Sequence, residues 1–279
     1  MILITGASGN VGSEVLNLCR IHNVPCIAAG RSPGRRSGDG IEYRYLDFEN
    51  TDSYSAARGV SQVFLVRPPR ISDIKRTIGP FLRACREFGV RKIVFLSLLG
   101  ADKIPVVPHH AIEKEIKKLG LEHTFLRAGF FMQNLSTTHA GEIRERNELV
   151  APCGKGRTTF IHVRDIAGVA FRALRGEITA DAADVAGEDT LTYGEVADTL
   201  SAVLGRKITY RSPSPPGFVI YCLLNGTPLK FALVMTGIYL PTRFGAAQYK
   251  GDTRIRDLLG RPPVSFDTFV REEKSVWSV

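Results

Sequence analysis

Three glycines spaced by three, Gly6, Gly9 and Gly12, follow the apolar run Ile2-Leu3-Ile4-Thr5 and precede a segment that sets Val11, Val15, Leu16 and Leu18 on one helical face. Strand, glycine turn and helix in this order bind the pyrophosphate of a dinucleotide. Glycine lets backbone N–H groups approach the phosphates, and the helix N-terminus adds partial positive charge. The expected cradle is Gly6-Ala7-Ser8-Gly9-Asn10-Val11-Gly12. A second strand ends at Gly30-Arg31, with Arg35 and Arg36 close behind and no acidic residue between Glu14 and Asp39. A carboxylate at this place holds a ribose 2′-hydroxyl, whereas an Arg accommodates a 2′-phosphate. NADP(H) is therefore expected in preference to NAD(H). Asp47 and Phe48, after a third strand, are placed to meet the adenine amino group, although Asp47 also reads as a helix-start residue. The backbone of Val66-Arg67-Pro68 is expected to pass under the ribose and pyrophosphate.

The elements that must position these residues alternate. Strands are expected over Ile2–Thr5, 25–29, 42–46, Gln62–Val66, 92–96 and 123–127, and helices over 11–22, Thr51–Ala57, 74–88 and 111–119. Short connections between them give an α/β fold, a doubly wound parallel sheet of the Rossmann type, over residues 1–130. Residues 131–279 are expected to form a smaller C-terminal α/β substrate lobe, partly interleaved with the first domain. Its helices are placed near 133–146, 165–174 and 193–204, with a strand near 158–163. Thr192 and Glu195 have capping-box spacing. The apolar stretch 218–240 is interrupted by Asn225, Gly226, Pro228 and Lys230, which leaves two pieces too short to span a bilayer. Two buried helices are expected there, either covering the substrate pocket or forming a homodimer contact. Outward-turned aromatic residues would mark a docking face instead.

Composition narrows the function. The net charge of +9 comes from dispersed basic residues with no Lys/Arg run and no zinc-finger spacing, so neither nucleic acid nor membrane is expected as a partner. Cys19, Cys26, Cys85, Cys153 and Cys222 are scattered without a C-x-x-C pair, which points to reduced thiols and no metal site. Nothing precedes the first strand, so a cytoplasmic protein is expected.

Several segments resemble the NmrA-like branch of the atypical short-chain dehydrogenases/reductases. They are Thr5 through Gly12, Gly89-Val90-Arg91-Lys92-Ile93-Val94-Phe95-Leu96-Ser97 and His109-His110-Ala111-Ile112-Glu113-Lys114. Thr124 through Asn134 is similar to that group's T-x-L-R-P-x-x-F-M-x-N segment, with Ala128 in place of the Pro. The resemblance continues through Phe160-Ile161-His162-Val163-Arg164-Asp165-Ile166-Ala167 and Gly260-Arg261-Pro262-Pro263. Leu65-Val66-Arg67-Pro68-Pro69 and the Trp277 ending also resemble the fungal ergot-alkaloid reductases, which reduce iminium substrates. The resemblance implies a dinucleotide held between a Rossmann domain and a small lobe, with Phe131 and Asn134 on the cofactor side. The group includes quinone, azo-dye, triphenylmethane-dye and imine reductases, and proteins that bind the dinucleotide only to sense redox state.

Typical short-chain reductases carry Y-x-x-x-K, in which Tyr protonates a carbonyl oxygen and Lys holds the ribose. Here Lys114 matches the Lys, and His110 stands where the Tyr would be. Lys114 is expected on the nicotinamide ribose. Ser97 ends the fifth strand, where such folds place a hydroxyl beside the nicotinamide. His109 and His110 are each candidate acids, one of them facing the pocket. His162 reads as a packed residue and Asp165 as a helix N-cap. Without a Tyr, a ketone, which needs a proton as hydride arrives, is a poorer acceptor than a quinone, conjugated imine or cationic dye. His109, Phe130, Tyr221, Phe231 and Tyr239 are expected to contact such an apolar or aromatic substrate. The expectation is an NADPH-dependent reductase of conjugated small molecules; the alternative is a non-catalytic redox sensor.

Overall fold

The computed structural model describes residues 1–31, 41–251 and 254–278. Along the chain run β1 (Ile2–Thr5), α1 (Asn10–Ile21), β2 (Cys26–Gly30), β3 (Glu42–Tyr45), a 3₁₀ turn (Thr51–Ala57), β4 (Gln62–Val66), α2 (Ile78–Glu87), β5 (Lys92–Leu98), α3 (Pro108–Lys118) and β6 (Glu122–Ala128). There follow β7 (Phe130–Phe131), α4 (Gln133–Ser136), α5 (Ala140–Arg146), β8 (Glu148–Val150), β9 (Arg157–Ile161), α6 (Val163–Leu174) and β10 (Ala182–Val185). The last elements are β11 (Thr190–Thr192), α7 (Tyr193–Leu204), β12 (Thr209–Arg211), α8 (Pro215–Leu224), α9 (Leu229–Arg243), α10 (Ile255–Leu259), α11 (Phe266–Glu272) and α12 (Lys274–Trp277).

Two compact units share this chain. The first comprises Met1–Ala128, Val163–Val185 and Arg256–Arg261; the second comprises Gly129–His162, Ala186–Ile255 and Pro262–Val279. The first unit holds a seven-stranded sheet in the order β10-β6-β5-β4-β1-β2-β3, parallel throughout. Its central strands are apolar on both faces: Leu3, Ile4, Val63, Phe64, Leu65, Ile93, Val94 and Phe95 are all fully buried, as a sheet covered on both sides requires. The order reverses between β1 and β4, and loops at the carboxyl ends of these strands border the crevice of this fold class. Thr5 locks that point, its Oγ1 donating to Phe64 O at 3.1 Å and accepting from Val66 N at 2.8 Å. Helix α1 turns Val11, Val15, Leu16 and Cys19 inward.

The second unit is built around Tyr193, Phe160, Phe218, Tyr239, Phe266, Phe269 and Trp277, all buried. The Trp277 indole donates to Leu135 O at 3.2 Å, and Arg206 Nη2 donates to Trp277 O at 2.7 Å, which fixes the end of the chain in this core. The Thr192–Glu195 capping box is present at α7.

Several expectations change. The helix expected over 133–146 is two helices, α4 and α5, separated at Thr137–His139. Segment 74–77 is turn, and α2 starts at Ile78. Asp165 is not an N-cap: α6 already starts at Val163, and the fully buried Asp165 carboxylate pairs with Arg261 at 2.8 Å. The expected pair of buried helices exists as α8 and α9, but much of their apolar surface faces outward. Strand β10 was not expected; four residues with Asp184 among them give too weak a periodicity.

Candidate functional site

The glycine turn lies where β1 and β4 meet. Gly6 adopts φ +62°, Gly9 N donates to Gly6 O at 2.9 Å, and Ser13 N donates to Gly9 O at 2.9 Å. A Cβ on Gly12 would fall onto the Gly6 carbonyl oxygen, and one on Gly6 would press to 3.2 Å from Val66 Cβ. Close approach of helix to strand therefore requires both glycines. Ala7 and Val11 point into the core while Ser8 and Asn10 are exposed. Gly9, the N-cap of α1, offers no side chain to its free N–H groups, and the first turn of α1 has no acidic residue. These uncapped amides and the absence of Cβ atoms fit a dinucleotide pyrophosphate.

Arg31 is exposed after the end of β2; Arg35 and Arg36 lie outside the described residues. Asp47 accepts from Glu49 N at 3.1 Å and has Arg70 3.7 Å away. Phe48 packs inward against Phe81, with ring centroids 5.1 Å apart, and its carbonyl oxygen accepts from Tyr54 Oη at 2.9 Å, so its side chain does not face a ligand. After Val66, the Arg67 guanidinium donates to the carbonyls of Pro68, Pro69 and Ile71 at 3.0, 3.1 and 2.6 Å and so shapes its own loop.

At the end of β5, Ser97 is 4% exposed and its Oγ donates to Glu113 Oε1 at 2.6 Å. Glu113 is clamped by Arg127, whose Nε and Nη2 reach its two oxygens at 3.2 and 2.8 Å, and Arg127 also pairs with Asp102 at 3.3 Å. These hydrogen bonds with Glu113 hold the guanidinium above its usual pKa. Glu113 and Arg127 lie inside the quoted motifs, yet neither was assigned a role. Their pairing joins α3 to β6 across the fold, and spacing along the chain carries no signal of it.

His109 stacks on Phe95 and receives Arg67 Nε on its Nε2 at 3.5 Å. Burial, reinforced by the Arg67 charge, pushes its pKa down to about 4. His110 Nδ1 donates to Ala101 O at 2.9 Å. Lys114 is exposed on α3 and forms no ion pair among the described residues.

The remaining candidates belong to the second unit. Phe131 and Asn134 are half-buried. Phe130 packs edge-on to Phe160 at 5.7 Å and tilted against Tyr239 at 5.6 Å. Tyr239 is a core residue: its hydroxyl donates to His139 Nε2 at 2.5 Å, and His139 Nδ1 donates to Glu142 Oε1 at 2.6 Å. Burial raises the phenol well above its usual pKa. Glu142 also accepts from Tyr221 Oη at 3.0 Å and Val150 N at 2.9 Å. Burial, with Glu142 beside it, pushes Tyr221 up to about 12. Tyr221 borders a cavity of about 380 Å³ with Val150, Arg211, Ser212, Pro213 and Gly217. Phe231 faces outward, half exposed. Sequence reading missed the His139–Glu142 pair, because the expected continuous helix hid their function in stitching α5 to α9.

A parallel sheet in this strand order, with a side-chain-free cradle at its reversal point, defines a Rossmann protein of the dinucleotide-binding class. The chain belongs to the NmrA-like family, which matches it over residues 1–240. It is 31% identical to agroclavine dehydrogenase of Claviceps fusiformis, over 99% of this chain and 98% of that one. It is 33% identical to the NAD(P)H azoreductase of Xenophilus azovorans, covering 75% of this chain and 76% of the relative. In fold it matches the NADPH-dependent quinone oxidoreductase of Escherichia coli complexed with NADPH, with a TM-score of 0.88 and 24% identity over 98% of this chain and 99% of the other.

Proposed function

We propose that this chain is a reductase that delivers hydride from NADPH to a conjugated small molecule, a quinone, an imine or a dye-like acceptor. Its family and its relatives make it an NAD(P)H-dependent oxidoreductase; the acceptor class is our reading. Bound NADPH supplies the hydride. The residues of this chain bind and orient: the Gly6–Gly12 amides take the pyrophosphate, Arg31 the 2′-phosphate, and Lys114 the nicotinamide ribose, with Phe131 and Asn134 on the cofactor side.

One observation carries the choice of acceptor: two of the expected proton donors are committed to other groups and the third is a neutral imidazole. The Ser97 hydroxyl is held by Glu113, His110 Nδ1 by Ala101 O, and His109 is neutral at pH 7. An acceptor that spreads the incoming charge over a conjugated system needs no side-chain acid at the moment of transfer. Orientation then does most of the work. The test follows NADPH oxidation against quinones, azo dyes, cyclic imines and simple ketones. Turnover of the conjugated acceptors alone supports the reading. Equal turnover of ketones, with a loss above pH 6 to 7 that either His substitution abolishes, overturns it.

The outward apolar side of α8 and α9 favours a second reading, a redox sensor that presents a docking face. NADPH binding without turnover of any acceptor in the panel would support it.

A further inference from the structure

The turn that ends α1 brings Cys19 and Cys26 together. Asn23 adopts a left-handed backbone at φ +52°. Val24 N donates to Cys19 O at 2.8 Å, and Asn23 N donates to Arg20 O at 3.2 Å. These are the two bonds of a Schellman motif, which folds the chain straight back on the last turn of its helix. Strand β2 then starts at Cys26, and the side chains meet: the Cys19 thiol donates a hydrogen bond to the Cys26 sulfur. Both cysteines are free. A disulfide forms only where two Cβ atoms already approach one another, and this contact supplies that approach.

The two thiols differ as a reacting pair must. Cys19 is buried, as are Cys85, Cys153 and Cys222, whereas Cys26 is partly exposed. Cys26 pairs with Ile2 of β1, but the ladder to β3 starts one residue later, at Ile27 and Glu42. The hydrogen bond from Cys19 favours the Cys26 thiolate and lowers its pKa. The same bond, with burial, drives the Cys19 thiol up. An accessible thiol of lowered pKa beside a second thiol is the arrangement of a peroxide-sensitive cysteine and its resolving partner.

We propose that Cys19 and Cys26 form a redox modification site, oxidised by hydrogen peroxide to a disulfide that ties α1 to β2. The Cys26 thiolate attacks one peroxide oxygen. The S–O bond forms, the O–O bond breaks, and the departing hydroxide takes up a proton to become water. Cys26 is then a sulfenic acid. The Cys19 sulfur attacks the Cys26 sulfur and gives its proton to the leaving hydroxyl, so the S–S bond forms, the S–O bond breaks and a second water departs. Two electrons pass from the thiols to the peroxide. The tie joins the helix that starts in the glycine cradle to the strand that leads to Arg31. It is independent of the acceptor and goes beyond the reductase reading.

The test reduces the full chain, removes the reductant, adds hydrogen peroxide and reads the mass, both intact and after trypsin digestion without reduction. Arg20 lies between the two cysteines, so trypsin parts them unless a disulfide holds them. The chain should lose two hydrogens, and peptides 1–20 and 21–31 should appear as one species that dithiothreitol separates. Cys26→Ser should abolish the change. Cys19→Ala should stop the reaction one step earlier and leave Cys26 as a sulfenic acid that dimedone traps. The wild-type map decides the matter even where Cys19→Ala, at a buried position, fails to fold. No bridge between the two peptides, a bridge to Cys85, Cys153 or Cys222 instead, or oxidation of Cys26 past the sulfenic acid with Cys19 still a thiol, overturns the proposal.

Discussion

The groups gathered around the end of β5 differ in what protonation can do to them. His109 has a folded pKa of about 4, below the ordinary histidine value of 6.5, because charging it means burying a cation beside Arg67. A folded pKa below the unfolded one contributes stability that is complete above pH 6.5 and is lost as pH falls towards 4. Its full size is up to about 3 kcal/mol. Urea titrations between pH 7 and pH 4 should therefore show a fall in unfolding free energy that is shallower in His109→Ala; parallel profiles would mean that His109 is free to charge. Glu113 presents the reverse case, a buried anion held by Arg127. Glu113→Gln leaves that guanidinium short of charge, at a cost of about 3 kcal/mol, and should lower the melting temperature by roughly 5–10 °C. Arg31→Glu tests the cofactor reading. Losing a charge-assisted contact to a 2′-phosphate should shift the ratio of NADPH to NADH dissociation constants by about tenfold to a hundredfold, measured by titration calorimetry. An unchanged ratio would remove Arg31 from the site. Residue type and place along the chain were enough to nominate Arg31 and Lys114. They could not show that Ser97 spends its proton on Glu113, since that depends on a partner in another element.

Elements set the spacing on which those residues depend, and the turn between β1 and α1 is the least tolerant of change. Gly12→Ala puts a methyl group on the Gly6 carbonyl oxygen, backbone against backbone, so the start of α1 has to move away from β1. We expect NADPH affinity in equilibrium dialysis to fall by more than tenfold, since the turn amides no longer converge. Near-native affinity would show that the cradle is not the phosphate site. The strands were legible for the reason that makes this turn rigid. β1, β2 and β4 are short apolar runs, and β1 and β4 match their expected limits, Ile2–Thr5 and Gln62–Val66. The second unit was less legible because its strands β8, β11 and β12 have three residues each, too short to show a period. Apolar content also misled. Helices α8 and α9 are apolar on both sides, and composition cannot say which side is covered.

For the whole molecule, the chain path matters more than any contact. The chain passes from one unit to the other five times, at 128/129, 162/163, 185/186, 255/256 and 261/262, so neither unit is a continuous piece able to fold while the other waits. Thermal unfolding should therefore be one transition seen alike by far-ultraviolet circular dichroism and by the fluorescence of Trp277, which lies in the second core. The residues proposed to hold the cofactor phosphates, Gly6 through Gly12 and Arg31, belong to the first unit. If unfolding is a single step, NADPH binding there must protect Trp277 as well. At a hundred times its dissociation constant a ligand adds about 2.7 kcal/mol, which for a chain of this size raises the melting temperature by roughly 5–10 °C. Both probes should move together by that amount with NADPH, by less with an equal concentration of NADH, and by less in Gly12→Ala at the same NADPH concentration. A circular dichroism transition that shifts while the Trp277 transition stays in place would show that the second unit unfolds on its own despite the five crossings. A shift equal for both nucleotides would count against the 2′-phosphate contact at Arg31, and would leave the affinity to the contacts that the two nucleotides share, the glycine cradle first among them.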